Sequence, residues 1–208
     1  LGDLTALTSL DLSYCESLQS VDGLANLTAL TTLDLSDCHS LQNVDGLANL
    51  TALTTLDLRD CYSLQSVDVL ANLTALRSLD LSGCRALESM DGLANLALTE
   101  LSLANNRLLQ SADALANLTT LTTLKLGGST IQSVDALANL TALTELSLWA
   151  CKSLENVDGL VDLSALTSLS LGHCASLPSS LRQDFRGKER CDEARREIQA
   201  QIDARAGS

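Results

Sequence analysis

Cysteine is the residue type in this sequence with the most obvious reactive chemistry, because thiolates bind metals, form disulfides and act as nucleophiles. Zinc sites need local CxxC or histidine spacing, which the cysteines here lack. Six of the seven instead share one position of a repeated segment, where two further copies carry asparagine or serine. We predict inward-pointing groups that fill a small space and donate weakly to loop carbonyls. The position is held by Cys15, Cys38, Cys61, Cys84, Asn106, Ser129, Cys151 and Cys174.

Covalent catalysis would need a nucleophile beside a base, and His173 next to Cys174 is the obvious pair. Adjacent residues of an extended chain point to opposite faces, however, and Cys174 holds the inward position. The sequence also has no glycine-rich phosphate loop, metal motif or paired general acid and base. We therefore predict that the chain is not an enzyme and has no catalytic residue, metal or cofactor.

Carboxylates form a second recurring set, because an aspartate stands between two leucines in four copies of the segment. The copies are LDLSYC at 10–15, LDLSDC at 33–38, LDLRDC at 56–61 and LDLSGC at 79–84. In a strand the two leucines point one way and the aspartate the other. The pattern therefore predicts an exposed row of four carboxylates, Asp11, Asp34, Asp57 and Asp80, which we call the aspartate ladder.

A further series of aspartates precedes the LANL-type turns. Aspartate is a good acceptor for the free N–H groups at the start of a helix, so capping explains these acids without a ligand. A calcium-binding row is the alternative. The series comprises Asp22, Asp45, Asp68, Asp91, Asp113, Asp135 and Asp158.

One repeat must position all these side chains. The motif LxxLxL recurs in steps of 22 or 23 residues, and the two short steps reflect a missing threonine in NLAL at 95–98 and one residue lost in GSTIQSV at 128–134. A period this regular predicts stacked copies of one supersecondary unit. The motif begins at Leu7, Leu30, Leu53, Leu76, Leu98, Leu121, Leu143 and Leu166.

The unit LTTLDLSDCHSLQNVDGLANLTA at 30–52 resembles the leucine-rich-repeat family. In that family LxxLxLxx(N/C)xL forms a short strand and the loop after it. The segment VDGLANLTA resembles the short-helix repeats of the internalin and SDS22-like subclass, whereas the cysteine resembles the cysteine-containing subclass. The resemblance covers residues 1–177 and implies an α/β solenoid: a horseshoe with a parallel β-sheet on its concave face and short helical turns on its convex face.

Binding is expected on the concave face, where the outward residues vary between copies. The aspartate ladder is either a solvated residue copied with the repeat or an acidic stripe for a basic protein partner, and calcium is a weaker option. Trp149, the only tryptophan, is the candidate binding hot spot, and the alternative is that it packs over Lys125 or a neighbouring row. The predicted contact residues are Asp11, Asp34, Asp57, Arg59, Asp80, Glu100, Lys125, Glu145 and Trp149.

Composition excludes several partner classes. A net charge of −13 argues against nucleic acid, because phosphate binding needs clustered lysine and arginine. No run of about 18 apolar residues is present, so no membrane span is expected. Hydrophobic residues make up 46% of the chain and aromatic ones only 2%, which predicts a core built from leucine, valine and alanine.

The two ends of the sequence differ from the repeats. LGDLTAL at 1–7 aligns with LANLTAL at 24–30, so the chain starts inside a repeat and we expect it to be a piece of a longer protein. Residues 178–208 hold seven basic and six acidic residues, against six and 20 in the first 177. Cys191, Ala194, Ile198 and Ile202 are spaced as one face of a helix, which we expect to cap the solenoid or link it to another domain.

The sequence favours a non-catalytic protein-interaction module. A reducing, cytoplasmic compartment is expected, because the repeat cysteines are predicted to be free thiols rather than disulfides. One alternative is the recognition segment of a larger enzyme or sensor, such as a ligase or signalling NTPase, whose catalytic part lies elsewhere. Another is a secreted adhesin-like glycoprotein, since five NLT triplets match the glycosylation pattern. The triplets begin at Asn26, Asn49, Asn72, Asn117 and Asn139.

Overall fold

Each copy of the repeat contributes one short strand, and the strands lie side by side in chain order. The structure, a computed structural model, describes residues 4–207. Within that range one sheet contains eight parallel strands and a final antiparallel one. The strands are β1 Ser9–Asp11, β2 Thr32–Asp34, β3 Thr55–Asp57, β4 Ser78–Asp80, β5 Glu100–Ser102, β6 Thr123–Lys125, β7 Glu145–Ser147, β8 Ser168–Ser170 and β9 Asp184–Arg186.

The strands pair in the register that the repeat predicts. Leu33 of β2 faces Leu10 of β1 and Leu56 of β3. Leu79 of β4 still faces Leu101 of β5, although that step has 22 residues, because the shorter copy loses its residue outside the strand. A slip of one residue would turn every leucine to the solvent, so the buried face fixes the register.

The core is a continuous stack of leucines between the sheet and the return segments. Leu33 and Leu35 on the strand side and Leu47 on the return side each have 0% of their surface exposed. Complete burial of one such side chain contributes roughly 1.5–3 kcal/mol. The free energy gained by burying the leucine stack therefore exceeds the repulsion between neighbouring surface carboxylates. The predicted solenoid is confirmed.

The inward cysteines donate to backbone carbonyls, as predicted, and these bonds join consecutive repeats. The thiol of Cys61 donates to the carbonyl oxygen of Leu35 in the preceding copy at 3.3 Å. Asn106, which replaces cysteine, donates from Nδ2 to the carbonyl of Leu81 at 2.9 Å. Cys15 differs because it is exposed. Equivalent thiol contacts of 3.0–3.3 Å are made by Cys38, Cys84, Cys151 and Cys174.

Short 3-10 helices form the side opposite the sheet, and their aspartates are not the caps that the sequence predicted. In the first turn Val21 holds the capping position, Asp22 is the first helical residue, and no side-chain cap is made. The backbone N–H of Asp22 instead donates to Ser20 Oγ at 3.1 Å. A serine or asparagine two residues upstream plays this part at every such turn. The turns are Asp22–Leu24, Asp45–Leu47, Asp68–Asn72, Asp91–Leu93, Asp113–Leu115, Asp135–Asn139 and Asp158–Asp162.

The C-terminal end closes the stack with three elements, of which the sequence predicted only the helix. A 3-10 turn at Ser179–Leu181 leads into β9, whose Phe185 faces Leu169 of β8 and is buried. Helix α1 then runs over Lys188–Ala206. Its predicted apolar face is confirmed, because Cys191, Ala194 and Ile198 are buried and Ile202 is partly buried. The strand was missed because its sequence, DFR, lies outside the repeat that marked the other strands.

Candidate binding site on the concave face

The aspartate ladder lies on the open face of the sheet. Asp11 faces Asp34, Asp34 faces Asp57, and Asp57 faces Asp80 in the strand register. Adjacent strands are about 4.8 Å apart, so neighbouring charges at that separation repel by roughly 1 kcal/mol in water. The sequence therefore correctly predicted the row and its direction.

Each carboxylate of the ladder also has a structural task that the sequence pattern did not reveal. Oδ1 of Asp34 accepts the backbone N–H of Ser36 at 2.8 Å, and Oδ1 of Asp80 accepts that of Ser82 at 2.8 Å. Asp11 makes the same local bond to Ser13. The carboxylate thus ends the strand as an Asx turn, for which an aspartate just before a loop is a recognisable signal. One oxygen serves the backbone, and the second belongs to the open face.

The next loop positions adopt a left-handed backbone in every copy. Asp37 and Asp60 have φ of 60° and 54°, and the equivalent Gly83 has φ of 74°. Aspartate and asparagine tolerate this conformation better than most non-glycine residues. The turn that follows the ladder is therefore tightly defined, and it holds the carboxylates at fixed spacing.

The ladder is not electrostatically uniform. Burial raises the pKa of Asp57, with the Asp80 and Asp34 carboxylates adding to it and with the backbone N–H and the guanidinium of Arg59 opposing it. The hydroxyl and backbone N–H of Ser13 donate hydrogen bonds that lower the pKa of Asp11. Asp57 therefore lies in a more buried setting than Asp11.

Arg59, a predicted contact residue, neutralises part of the ladder from within. Its Nε donates to both carboxylate oxygens of Asp57, at 3.1 and 2.9 Å, and its Nη2 lies 2.9 Å from Oδ2. Nε also lies 4.0 Å from Oδ2 of Asp80. The sequence placed Arg59 on this face but did not predict the ion pair.

Beyond the ladder the face becomes mixed in charge. Lys125 and Glu145 line a cavity of about 220 Å³ together with Asp184 and Arg186. The last two lie on β9 and were not predicted, since no repeat pattern reaches that strand. Glu100 is exposed and does not line this cavity; its Oε2 accepts a hydrogen bond from Ser78 Oγ at 3.2 Å. The predicted residues of this half are thus only partly brought together.

Trp149 is half exposed, just after β7, and packs towards the last repeat. Its ring meets the ring of His173 edge to face with centroids 5.3 Å apart. A Cβ atom on Gly172 would approach Trp149 Cδ1 to 3.1 Å, so the glycine makes room for the indole. The alternative of packing against a neighbouring row is therefore what occurs, and the row is the one that follows. Half of the indole surface still faces the solvent.

An aromatic and cationic stack lies along the flank, one residue after the inward cysteine. His39 and Tyr62 stack with centroids 4.5 Å apart and an interplanar angle of 7°. The guanidinium of Arg85 lies 4.5 Å above the Tyr62 ring. Sequence analysis did not pick out these residues, although their shared repeat position is the signal that would have done so.

Metal sites and membrane-spanning helices are two further classes of feature. Among residues 4–207 no group of three or more histidine, cysteine, aspartate or glutamate side chains is arranged to hold a metal ion. In the same part of the chain no helix is both long and apolar enough to cross a membrane.

The in-register leucines, the inward cysteines and the 3-10 return turns define a leucine-rich-repeat solenoid. Residues 5–49 and 51–95 match the family model described as leucine rich repeats in two copies. The chain therefore has the leucine-rich-repeat fold, and the two matching segments cover 90 of its 208 residues. Such folds are commonly protein-interaction modules without enzymatic activity. None of the curated proteins compared with the chain matches it.

Solved leucine-rich-repeat structures are similar to the chain. An internalin, inlF, of Listeria monocytogenes aligns with a TM-score of 0.61 and 24% identity over 85% of this chain, which spans only 61% of that protein. Internalin C2 of the same species aligns with a TM-score of 0.61 and 28% identity, over 81% of this chain and 82% of the internalin. A Leptospira interrogans leucine-rich-repeat protein gives a TM-score of 0.55 and 21% identity, over 83% and 56%.

Proposed function

We propose that the chain is a non-catalytic interaction module that holds a basic segment of a protein partner along the aspartate ladder. The observation that carries this proposal is the in-register row of four carboxylates on the open face of the sheet. In Asp11, Asp34 and Asp80 one oxygen accepts a backbone N–H of the turn and the second is left for a cation, whereas both oxygens of Asp57 accept from Arg59. The leucine core behind the sheet makes no use of these charges.

The spacing of the ladder suits a short extended segment. Four rungs about 4.8 Å apart span on the order of 14 Å, and same-face side chains of an extended peptide recur every 7 Å or so. Two or three lysine or arginine side chains would therefore reach the row. Charge complementarity of this kind gives specificity and a fast association rate more than raw affinity.

Trp149 is the proposed anchor at the other end of the face. A half-exposed indole, held against His173 and over Gly172, offers a rigid apolar surface in a chain with 2% aromatic residues. Tryptophan is enriched among residues that dominate binding energy. Glu100, Lys125 and Glu145 lie between the ladder and this anchor and would tune the choice of partner.

The test must remove charge without breaking the turns, so asparagine is preferable to alanine. A triple variant, Asp34→Asn with Asp57→Asn and Asp80→Asn, keeps an acceptor for each backbone N–H. A matched control, Asp22→Asn with Asp45→Asn and Asp68→Asn, removes three exposed charges from the opposite side of the solenoid. Both variants have the same net charge.

Calorimetric titration with the peptide acetyl-Lys-Ala-Lys-Ala-Lys-amide then compares the two. We expect the ladder variant to lose at least tenfold in affinity and most of its salt dependence, and the control to change less than twofold. Equal losses in both variants would mean that net charge alone attracts the peptide. That result would reject the ladder as a site.

Trp149→Ala tests the anchor separately, with proteins captured from an extract of the source organism. We expect the captured set to shrink while binding of the lysine peptide to the ladder is unchanged. An unchanged set with both Trp149→Ala and the ladder variant would reject the concave face as the interaction surface.

We also propose a reducing compartment. Support comes from seven free cysteines, six of them buried in hydrogen-bonded or packed positions. The opposing candidate, a secreted glycoprotein, has one supporting feature, because the five sequon asparagines are exposed. Thiol titration and intact mass of the protein from its source decide between them: we expect seven free thiols and no added glycan mass, whereas glycosylated asparagine would overturn the proposal.

A further inference from the structure

A second cavity opens on the flank of the solenoid, away from the aspartate ladder and at its opposite end. It has a volume of about 440 Å³ and is lined by Lys152, Gly172, His173, Ala175 and Arg182. No carboxylate is among these residues, although the chain carries 26 acidic residues against 13 lysines and arginines. The lining of this cavity therefore includes two permanent cations and no acid.

Neither cation of this cavity has an acidic partner in the described part of the chain. Among residues 4–207 the ammonium group of Lys152 has no ion-pair or hydrogen-bond partner. Arg182 donates from Nε to the carbonyl oxygen of Leu177 at 2.5 Å, which fixes the guanidinium. Its two terminal amino groups make no further bond within the described chain. The nearby acid is Asp184, whose Oδ1 would lie 3.5 Å from a Cβ on Gly172. That oxygen accepts a hydrogen bond from the Ser170 hydroxyl at 2.5 Å.

The cavity adjoins the proposed anchor. His173 lines it and also meets the Trp149 ring edge to face at 5.3 Å. Gly172 lines it and lies under the same indole. The backbone at His173 is left-handed, with φ of 61°, and it follows the turn geometry of the other copies, so the imidazole is held at the cavity by the fold. A ligand that covers Trp149 would therefore lie beside this cavity.

We infer that the flank cavity binds a carboxylate group of a protein partner. A guanidinium that is fixed at Nε presents its remaining amino groups to a planar anion, and the Lys152 ammonium adds a point charge. Carboxylate is the anion that an unmodified polypeptide carries, as an acidic side chain or as its C-terminus. The inference deepens the proposed function, on which it rests only in taking the ligand to be a polypeptide.

The two ends of the solenoid then differ in charge. Residues 1–97 carry 13 acidic and three basic residues, whereas residues 98–208 carry 13 and ten. A partner segment with basic residues over the ladder and a carboxylate beyond Trp149 would match both ends, and the reversed segment would meet like charges at both. The cavity thus sets the direction in which a partner lies on the face.

Three peptides serve as probes: acetyl-Ala-Ala-Glu-Ala-Ala-amide, acetyl-pentaalanine with a free C-terminus, and the neutral acetyl-Ala-Ala-Gln-Ala-Ala-amide. Binding is followed by backbone amide shifts of residues 152, 172, 173 and 175 and by the fluorescence of Trp149, the only tryptophan. We expect one or both carboxylate peptides to shift these signals saturably and the glutamine peptide to leave them unchanged. The carboxylate peptide that binds more tightly identifies the source as side chain or C-terminus.

The double variant Lys152→Ala with Arg182→Ala should raise the dissociation constant at least fivefold. A matched double variant, Arg107→Ala with Arg196→Ala, removes two exposed cations elsewhere and should change it less than twofold. Lys152→Gln alone leaves the Arg182 bond to Leu177 intact, so the fold should not be disturbed. It should still weaken binding at least twofold.

Three outcomes would each overturn the inference. They are equal shifts with the glutamine peptide, no shift with any peptide, and binding of inorganic phosphate at least tenfold tighter than binding of either carboxylate peptide. The ladder variant Asp34→Asn with Asp57→Asn and Asp80→Asn separates this failure from failure of the proposed function. It should lose the lysine peptide and keep the carboxylate peptide.

Discussion

Arg59 folds back along its own strand and pairs with Asp57, its Nε donating to both carboxylate oxygens at 3.1 and 2.9 Å. The third rung of the aspartate ladder therefore carries its own counter-ion, at a position where burial, with the Asp80 and Asp34 carboxylates, raises the pKa of Asp57. A cationic partner must compete with Arg59 for Asp57. The pair therefore reduces the negative charge that the concave face presents at this rung.

Replacing Arg59 by alanine should strengthen binding of the lysine peptide by roughly two- to fivefold, because Asp57 becomes free and a repelling cation is removed. The side chain of Arg59 is half exposed, so the pair contributes at most about 1 kcal/mol to stability. Calorimetric titration and urea unfolding measure the two effects. Arg107→Ala, an exposed arginine away from the ladder, is the control, and an unchanged or weaker affinity in Arg59→Ala would contradict the competition.

Asp34→Ala should destabilise the protein by about 1 kcal/mol, whereas Asp34→Asn should be close to neutral. The reason is that the buried backbone N–H of Ser36 loses its acceptor only in the alanine variant. Urea unfolding of the two variants checks the difference. If asparagine were as costly as alanine, charge rather than the turn would be what this position contributes.

Gly46→Ala should destabilise the protein by roughly 1–3 kcal/mol, because its Cβ would come within 2.3 Å of the carbonyl oxygen of Val21 in the preceding turn. Gly23→Ala, at the same repeat position one copy earlier, is the matched control, since a Cβ there meets nothing within 4 Å. It should be neutral or slightly stabilising. Thermal unfolding of both variants measures the contrast. Similar midpoints would show that neighbouring turns can move apart at no cost in stability to make room for the Cβ.

The buried thiols should make stability fall at alkaline pH. Burial raises the pKa of Cys61 to about 12 and that of Cys174 to about 11, against 9.0 for an ordinary thiol. The native state therefore keeps protons that the unfolded chain loses, so this contribution is intact below about pH 9 and is lost as the pH rises towards 11–12. Urea midpoints between pH 7 and 11, for the wild type and for Cys61→Ser with Cys174→Ser, measure it, and we expect a shallower decline in the variant.

Thiol accessibility gives a simpler check of the same arrangement. Cys15 is exposed and should react with a disulfide reagent at once at pH 8, while the six buried thiols should react only on unfolding. A stopped-flow trace with more than one fast equivalent would contradict the packing of the cysteines.

The repeat made most of the fold predictable because it states the same local rule eight times. Leucine alternation alone was enough to place Asp34 and its equivalents on the open face. Capping by Asp22 and its equivalents was a wrong prediction, because propensity for helix starts does not distinguish the residue before a turn from its first residue. Strand β9 escaped because Phe185 has no repeat partner in the sequence.

The candidate site was predictable only as a list of outward residues. The sequence by itself determined the period, the buried face and the set of side chains on the open face, because a two-residue alternation and one apolar side leave a single register. Only the tertiary structure decided which of these side chains neutralise one another, as Arg59 and Asp57 do, and which meet residues from outside the repeat. Those contacts depend on rotamers and on the C-terminal segment that closes the stack, and neither follows from a periodic pattern.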